Sequence, residues 1–263
     1  MEIVNQSIDG GRPFDWSRAS VDYARYRDIY PQSFYDRILA RGLCVRGQTV
    51  LDLGTGTGVL PRHLYRCGAR WTATDLSEEQ ILQAKRLSKG MAVDYRTMAA
   101  EEIDFPAGSF DVVTACQCFW YFDHARLMPR LCRVLRPGGR LLLLYMAWLP
   151  SEDPIAEASE KLVLQYDPQW SGAGETVRPI PIPACYRDAF DLISHEEYRL
   201  RLPFTRESWH GRMRSCRGVG ASLSAEAVAQ WEKEHLALLA QIAPASFEVQ
   251  HYAAMAELRK KDG

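Results

Sequence analysis

The sequence lacks several features that would each have named a class. No apolar run among its 263 residues approaches the roughly 18 needed to cross a bilayer; the longest, 141–149, reads as a buried strand. Charge of one sign is missing too: 32 basic and 33 acidic residues leave a net charge of −1, so no global field draws the chain to nucleic acid or anionic lipid. The opening MEIVNQSIDGGRPFDW has no basic start followed by an apolar core, so no signal peptide is expected. Seven cysteines, an odd number, stand without framework spacing, which fits a reducing cytoplasm. Cys116-x-Cys118, with Cys132, Cys185 and Cys216 elsewhere, lacks the paired spacing of a zinc site, and no metal is expected.

What is present centres on residues 49–64, TVLDLGTGTGVLPRHL. The run Val50-Leu51-Asp52-Leu53 suits a buried parallel strand. Gly54, Gly56 and Gly58 then turn the chain into an apolar-periodic helix. Alternate glycines let backbone approach a ligand closely, and the helix start aims N–H groups at it. The next strand, RWTATD, ends in Asp75, about 20 residues beyond the first glycine, where nucleotide folds place a carboxylate on ribose hydroxyls. Ser77 is the expected N-cap of the following helix.

Strands are expected over 91–97, 109–116 and 140–146, and a helix over 124–135 with Asp123 as its cap. The aromatic segment 117–123, QCFWYFD, lies just past a strand's carboxyl end, where open α/β sheets bind ligands. The alternation predicts a Rossmann-like, doubly wound, mostly parallel seven-stranded sheet with helices on both faces. Upstream, residues 1–15 are expected to be loose or a lid, and Pro31 to open a helix over 32–40. Beyond Trp148 the expected order is a helix to Tyr166, a Pro- and Gly-rich excursion over 168–183, a helix over 184–192 and a strand over 197–202. A helix carrying Trp209 and Arg212, another over 224–242 and a last strand over 247–258 complete it. One domain is expected: a lid and helix in 1–42, a cofactor-binding core in 43–148, and substrate-side helices with closing antiparallel strands in 149–263.

The glycine turn, Asp75, the SFDVV strand and the LRPGG stop stand in one order. Together they resemble the class I S-adenosylmethionine-dependent methyltransferases, in the small-molecule group often labelled type 11. VLDLGTGTG, TATDLS, AAEEIDFPAGSFDVV and LCRVLRPGGRLLL carry the resemblance, which covers roughly residues 20 to 146. It implies that Asp52, Gly54, Thr55 and Gly56 line the methionine end of S-adenosylmethionine, and that Asp75 takes the ribose hydroxyls. Leu76 would pack on adenine, and Ala100 and Glu101 would meet its edge through backbone. Cys116 and Gln117 would sit near the sulfonium, with S-adenosylhomocysteine the product. Tyr23 and Arg27, four residues apart on a helix, would belong to a lid, Arg27 pairing with the cofactor carboxylate on charge grounds. Two departures stand out. Ala99 replaces an acid that many relatives carry, and Trp120-Tyr121 occupy places where relatives tend to have His-Trp.

Methyl transfer from a sulfonium needs position and alignment more than a nucleophile from the protein. A base is needed only if the acceptor loses a proton; Tyr121 and His124 are the weak candidates, and no catalytic residue is assigned. Trp120 and Tyr121 read as walls of an acceptor pocket or, equally, as core aromatics. Arg212 or Arg214 would clamp an acceptor carboxylate or phosphate, against the ordinary reading of a solvated charge run. The expected partner is a small-molecule acceptor, with no nucleic acid and no membrane, and the protein a cytoplasmic monomer or homodimer. The competing readings are an NAD(P)-dependent oxidoreductase and a cofactor-binding protein without turnover.

Overall fold

Short apolar runs bounded by glycine form the strands, and capped amphipathic stretches form the helices. The structure, a computed structural model, describes residues 3–6 and 8–262. Met1, Glu2 and Ser7 of the N-terminal stretch lie outside the described residues. The chain runs α1 (Ser20–Tyr26), α2 (Gln32–Ala40), β1 (Thr49–Leu53), α3 (Val59–Leu64), β2 (Arg70–Asp75), α4 (Glu78–Leu87), β3 (Val93–Thr97) and β4 (Phe110–Cys116). It continues through α5 (His124–Val134), β5 (Leu135–Trp148), α6 (Pro154–Tyr166), β6 (Phe190–Thr205), α7 (Arg206–Arg214), α8 (Ala225–Ile242) and β7 (Ser246–Lys260).

The seven strands lie in the order β3-β2-β1-β4-β5-β7-β6. From β3 to β5 every pair is parallel. β7 runs against β5: the Lys260 ammonium reaches the Leu135 carbonyl at one end, and Leu149 N–H meets the Gln250 carbonyl at the other. Lys261 N–H donates to Ala189 at the start of β6, so that pair is antiparallel as well. The sheet is therefore mostly parallel with an antiparallel end.

The chain divides into two compact units. The sheet unit comprises Tyr30–Met146, Arg178–Glu197 and Ala253–Gly263, and the helical unit Met1–Ile29, Ala147–Val177 and Tyr198–Tyr252. In the sheet unit, Val50, Leu51, Leu53 and 141–144 are buried, as strands covered on both faces must be. Ser77 caps α4 by accepting from Gln80 N–H, with Glu78 and Glu79 in the first turn and Lys85 and Arg86 in the last, complementing the helix dipole. Asp123 caps α5 by accepting from Ala125 and Arg126 N–H.

Two expectations need correction here. Arg136-Pro137-Gly138-Gly139 does end α5, but β5 begins at Leu135 and not at 140. Between Phe110↔Leu135 and Val112↔Arg140, β4 advances two residues and β5 five, so the Pro-Gly-Gly segment is absorbed as a bulge. Residues 184–192 hold only a short 3-10 turn, Ala184–Tyr186, and then enter β6. The exposed edge of β7 supplies a strand partner there, and pairing outweighs local helix propensity.

In the helical unit, α1 lies against α7. Gly211 makes this possible: a Cβ there would fall 2.3 Å from the Tyr26 ring. The stretch before α1 is pinned. Asp9 is buried and accepts from Ser171 N–H (2.7 Å) and from the Arg217 guanidinium (2.9 Å). Burial raises its pKa, but the bonds from Arg217 and Ser171 carry it below the ordinary carboxylate value. No helix among the described residues is long and apolar enough to cross a membrane.

Candidate functional site

β1 delivers the glycine turn at the carboxyl edge of the sheet unit. Gly54, Gly56 and Gly58 all take positive φ (58°, 56° and 75°), which only glycine adopts at little cost. Thr55 N–H donates to the Thr74 carbonyl at 2.9 Å, tying the turn to the end of β2. Asp75, at that end, accepts from Gly56 N–H (2.8 Å) and Ser77 N–H (2.9 Å), one bond to each carboxylate oxygen. Burial pushes its pKa above the ordinary carboxylate value, opposed by these backbone donors. Each oxygen keeps acceptor capacity. A pair of vicinal hydroxyls fits that arrangement, so the residues present suit an adenosyl ribose.

Not every glycine in the turn leaves room for a ligand. A Cβ on Gly54 would lie 2.8 Å from Cβ and Sγ of Cys118, and one on Gly58 would lie 2.3 Å from the Tyr95 hydroxyl. The protein's own side chains fill those spaces. Asp52, beneath the turn, is 1% exposed and accepts from the Thr114 hydroxyl at 2.6 Å. Burial pushes its pKa up to about 7, against the opposing Thr114 bond.

β4 ends at Cys116, whose thiol meets the Tyr30 hydroxyl at 3.5 Å. Gln117 follows with φ of 64°, a left-handed backbone that costs a non-glycine residue about 1–2 kcal/mol. Cys118 donates its thiol to the Leu53 carbonyl at 3.1 Å. Burial pushes the Cys118 thiol well above its ordinary pKa, so it stays protonated and unreactive. Ala100 is buried, and Glu101 accepts from Asp123 N–H at 2.8 Å, which joins the loop after β3 to the cap of α5. Leu76 is partly exposed beside Asp75.

Trp120, 36% exposed, packs edge-to-face on Tyr145 with ring centroids 4.8 Å apart, and Tyr121 lies beside it at 5.6 Å. His124 Nδ1 is 3.1 Å from the Tyr186 hydroxyl. Burial lowers the His124 pKa, against the pull of Glu101 and Asp123, so the ring is neutral at neutral pH.

The other expected residues belong to the helical unit. The Arg27 guanidinium lies over the Tyr23 ring at 4.6 Å. It also approaches Cys216 Sγ at 3.9 Å, and Arg212 reaches the same sulfur at 3.3 Å. Arg212 is buried, with its guanidinium over the Trp148 ring at 4.7 Å. Arg214 forms two 2.6 Å bonds to Asp22 and another bond to Glu232. The arginine run is thus no solvated face: Arg212 and Arg217 are buried, and α7 ends at Arg214, so Arg214 and Arg217 do not share one helix.

Sequence reasoning passed over Thr114, Tyr145 and Tyr186. The bond from Cys118 to β1 has no local signal in the sequence either. Strand register signals the first of these, Thr114, since it and Asp52 are register partners in β1 and β4.

Residues 51–143 match a family described as a methyltransferase domain. The ubiquinone biosynthesis O-methyltransferase of Pseudomonas paraeruginosa is 33% identical over 149 residues, 54% of this chain and 64% of that protein. The same-named protein of Xanthomonas axonopodis is 31% identical over 148 residues, 54% of this chain and 62% of that one. The chain therefore matches less than two thirds of the length of these curated relatives. The crystal structure of the YcgJ protein from Bacillus subtilis superposes with a TM-score of 0.54 at 20% identity, covering 89% of this chain and all of that one, which establishes the fold. The glycine turn, the strand order and the match over residues 51–143 together support a class I S-adenosylmethionine-dependent methyltransferase.

Proposed function

We propose that the protein transfers a methyl group from S-adenosylmethionine to a small-molecule acceptor by in-line displacement. The observation that carries this reading is Asp75, fixed by the N–H of Gly56 at the edge between β1 and β2 with both oxygens still able to accept. When bound, S-adenosylmethionine supplies an electrophilic methyl group on a sulfonium, whose departure leaves a neutral thioether. Asp75 holds the ribose diol, Leu76 covers one face of adenine, and the backbone of Ala100 and Glu101 meets the adenine edge. Gly54, Thr55 and Gly56 line the methionine chain with Asp52 beneath them, while Cys116 and Gln117 border the reacting end.

Trp120 and Tyr121 wall the acceptor. His124 is the base for an acceptor that must lose a proton. Burial keeps its ring neutral, and in the tautomer whose Nδ1–H donates to the Tyr186 hydroxyl, Nε2 is the nitrogen that takes the proton. The named relatives are O-methyltransferases, which makes a hydroxyl the first acceptor to assay. The place of action is the cytoplasm.

Transfer of isotope-labelled methyl from S-adenosylmethionine to a panel of small phenols, carboxylic acids and amines tests the function. Saturable binding of S-adenosylhomocysteine with labelled product is the expected result. Binding of NADH in preference to S-adenosylhomocysteine would return the oxidoreductase reading, which the family match disfavours. Binding without transfer to any acceptor would leave a protein that holds the cofactor and does not turn over.

A further inference from the structure

Gln117 stands in a backbone conformation that its residue type does not favour, at the strand end beside the glycine turn. Its N–H continues the ladder to the Leu144 carbonyl at 2.9 Å, and its φ is 64°. Such strain persists only where surrounding contacts over-determine it. The contact here is the side-chain amide, which donates to the carbonyl of Met146 on β5. The left-handed residue turns the chain back toward β1. Cys118 is thereby placed with its thiol on the Leu53 carbonyl at 3.1 Å and its Cβ and Sγ in the space above Gly54.

We infer that Gln117 and Cys118 form a latch that holds the glycine turn in its cofactor-binding shape, Gln117 acting as a positioning residue through Cys118. This rests on the methyltransferase reading given above. The two ends of the turn are then held differently. Asp75 grips Gly56 from β2, and Cys118 grips the Leu53–Gly54 peptide from β4. Glycine at 54 is required twice, by its φ of 58° and by the sulfur beside it. The bond to Leu53 needs the neutral thiol, since a thiolate has no proton to donate. Burial keeps Cys118 in that form.

The test pairs Gln117→Gly, which relieves the backbone but removes the amide, with Gln117→Asn, which tolerates a left-handed backbone but is one methylene too short to reach Met146. S-adenosylhomocysteine affinity is read by calorimetry, and accessibility of Cys118 by native labelling with a disulfide reagent followed by peptide mass spectrometry. Both variants are expected to bind S-adenosylhomocysteine about tenfold more weakly and to label at Cys118 faster than the wild type, whose partly exposed thiol is held on Leu53. In turnover, KM for S-adenosylmethionine should rise in step with the lost affinity. Cys118→Ser, which can still donate to Leu53, should restore most of the affinity lost in Cys118→Ala. Variants that bind within twofold of the wild type, with Cys118 labelled no faster, overturn the latch. Should the wild type bind no S-adenosylhomocysteine while Cys118 exposure still follows Gln117, the latch geometry stands and the function assigned to it falls.

Discussion

Asp52 of the sheet unit and three imidazoles of the helical unit are buried ionisable groups of opposite kind. The acid, Asp52, has a pKa pushed up to about 7. The helical unit also buries the acids Glu160 and Asp167, which burial raises in the same direction as Asp52. His235 and His251 are both pushed down to about 3 by burial, and His210 is lowered as well. One cause acts in both places, since burial favours whichever form is neutral. Its consequences for stability have opposite signs. Folded Asp52 holds a proton that the unfolded chain releases near pH 4, so the sheet unit loses stability as pH rises from about 4 to about 7. The buried rings refuse a proton that the unfolded chain takes up near pH 6.5, so the helical unit loses stability as pH falls from there toward 3.

The helical unit's rings are also locked by their hydrogen bonds. Ser159 Oγ donates to the Ile155 carbonyl (2.8 Å) and accepts from Trp209 Nε1 (2.9 Å). It therefore accepts from His235 Nε2, 3.0 Å away. That leaves His235 Nδ1 as acceptor for Nδ1–H of His210 at 2.9 Å. A proton added to His235 would set two N–H groups against each other. His210 has an outlet, Nε2, which lies 3.7 Å from Glu232 with Arg214 opposing it by charge. At Asp52 in the sheet unit the carboxyl faces hydroxyls instead, those of Thr114 and Thr55.

The largest effect should separate ligand chemistry from this contrast. Asp75→Ala removes the two charge-assisted bonds proposed to the ribose, so S-adenosylhomocysteine affinity should fall about a hundredfold or more by calorimetry, while the helical unit keeps its acid response. Next in size is the contrast itself. Amide exchange resolved by segment, compared between pH 6.5 and pH 4.5, should show α6, α7 and α8 losing protection, by on the order of a kcal/mol per pH unit for each buried ring. The β1 and β4 amides should hold or gain over the same interval. Equal loss in both units would break the comparison.

Asp52→Asn keeps the Thr114 bond but cannot ionise. The variant should gain on the wild type as pH rises, by about 4 kcal/mol between pH 4 and pH 8 in denaturant titrations. A pH-independent difference would refute the raised pKa. The smallest effect lies at a helix end that neither pH window touches: Ser77→Ala should cost about 1 kcal/mol at every pH, by loss of the α4 cap.

The parallel part of the sheet unit was the more legible. A five-residue apolar strand, a turn that needs glycine, and a serine or aspartate before a helix are all local statements, and 49–134 follows them closely. The segment after Trp148 was less so. Residues 184–192 carry no pattern that separates helix from strand, and β7 decided the matter from some seventy residues away. Arg212 and Arg217 look alike in sequence to the exposed Arg201, yet one lies over Trp148 and the other on Asp9. At Gly54 the glycine was readable, but its neighbour Cys118 was not, since a left-handed Gln117 brings it there.

Backbone geometry near a residue depends on that residue and its immediate neighbours, so the turn glycines, the caps at Ser77 and Asp123 and the parallel strand runs were written in the chain itself. Charge states and partnerships depend on what surrounds a group in space. Asp52 acquired its raised pKa, His235 its fixed tautomer and Cys118 its place over Gly54 only when distant segments excluded water around them, and no stretch of sequence carries that information alone.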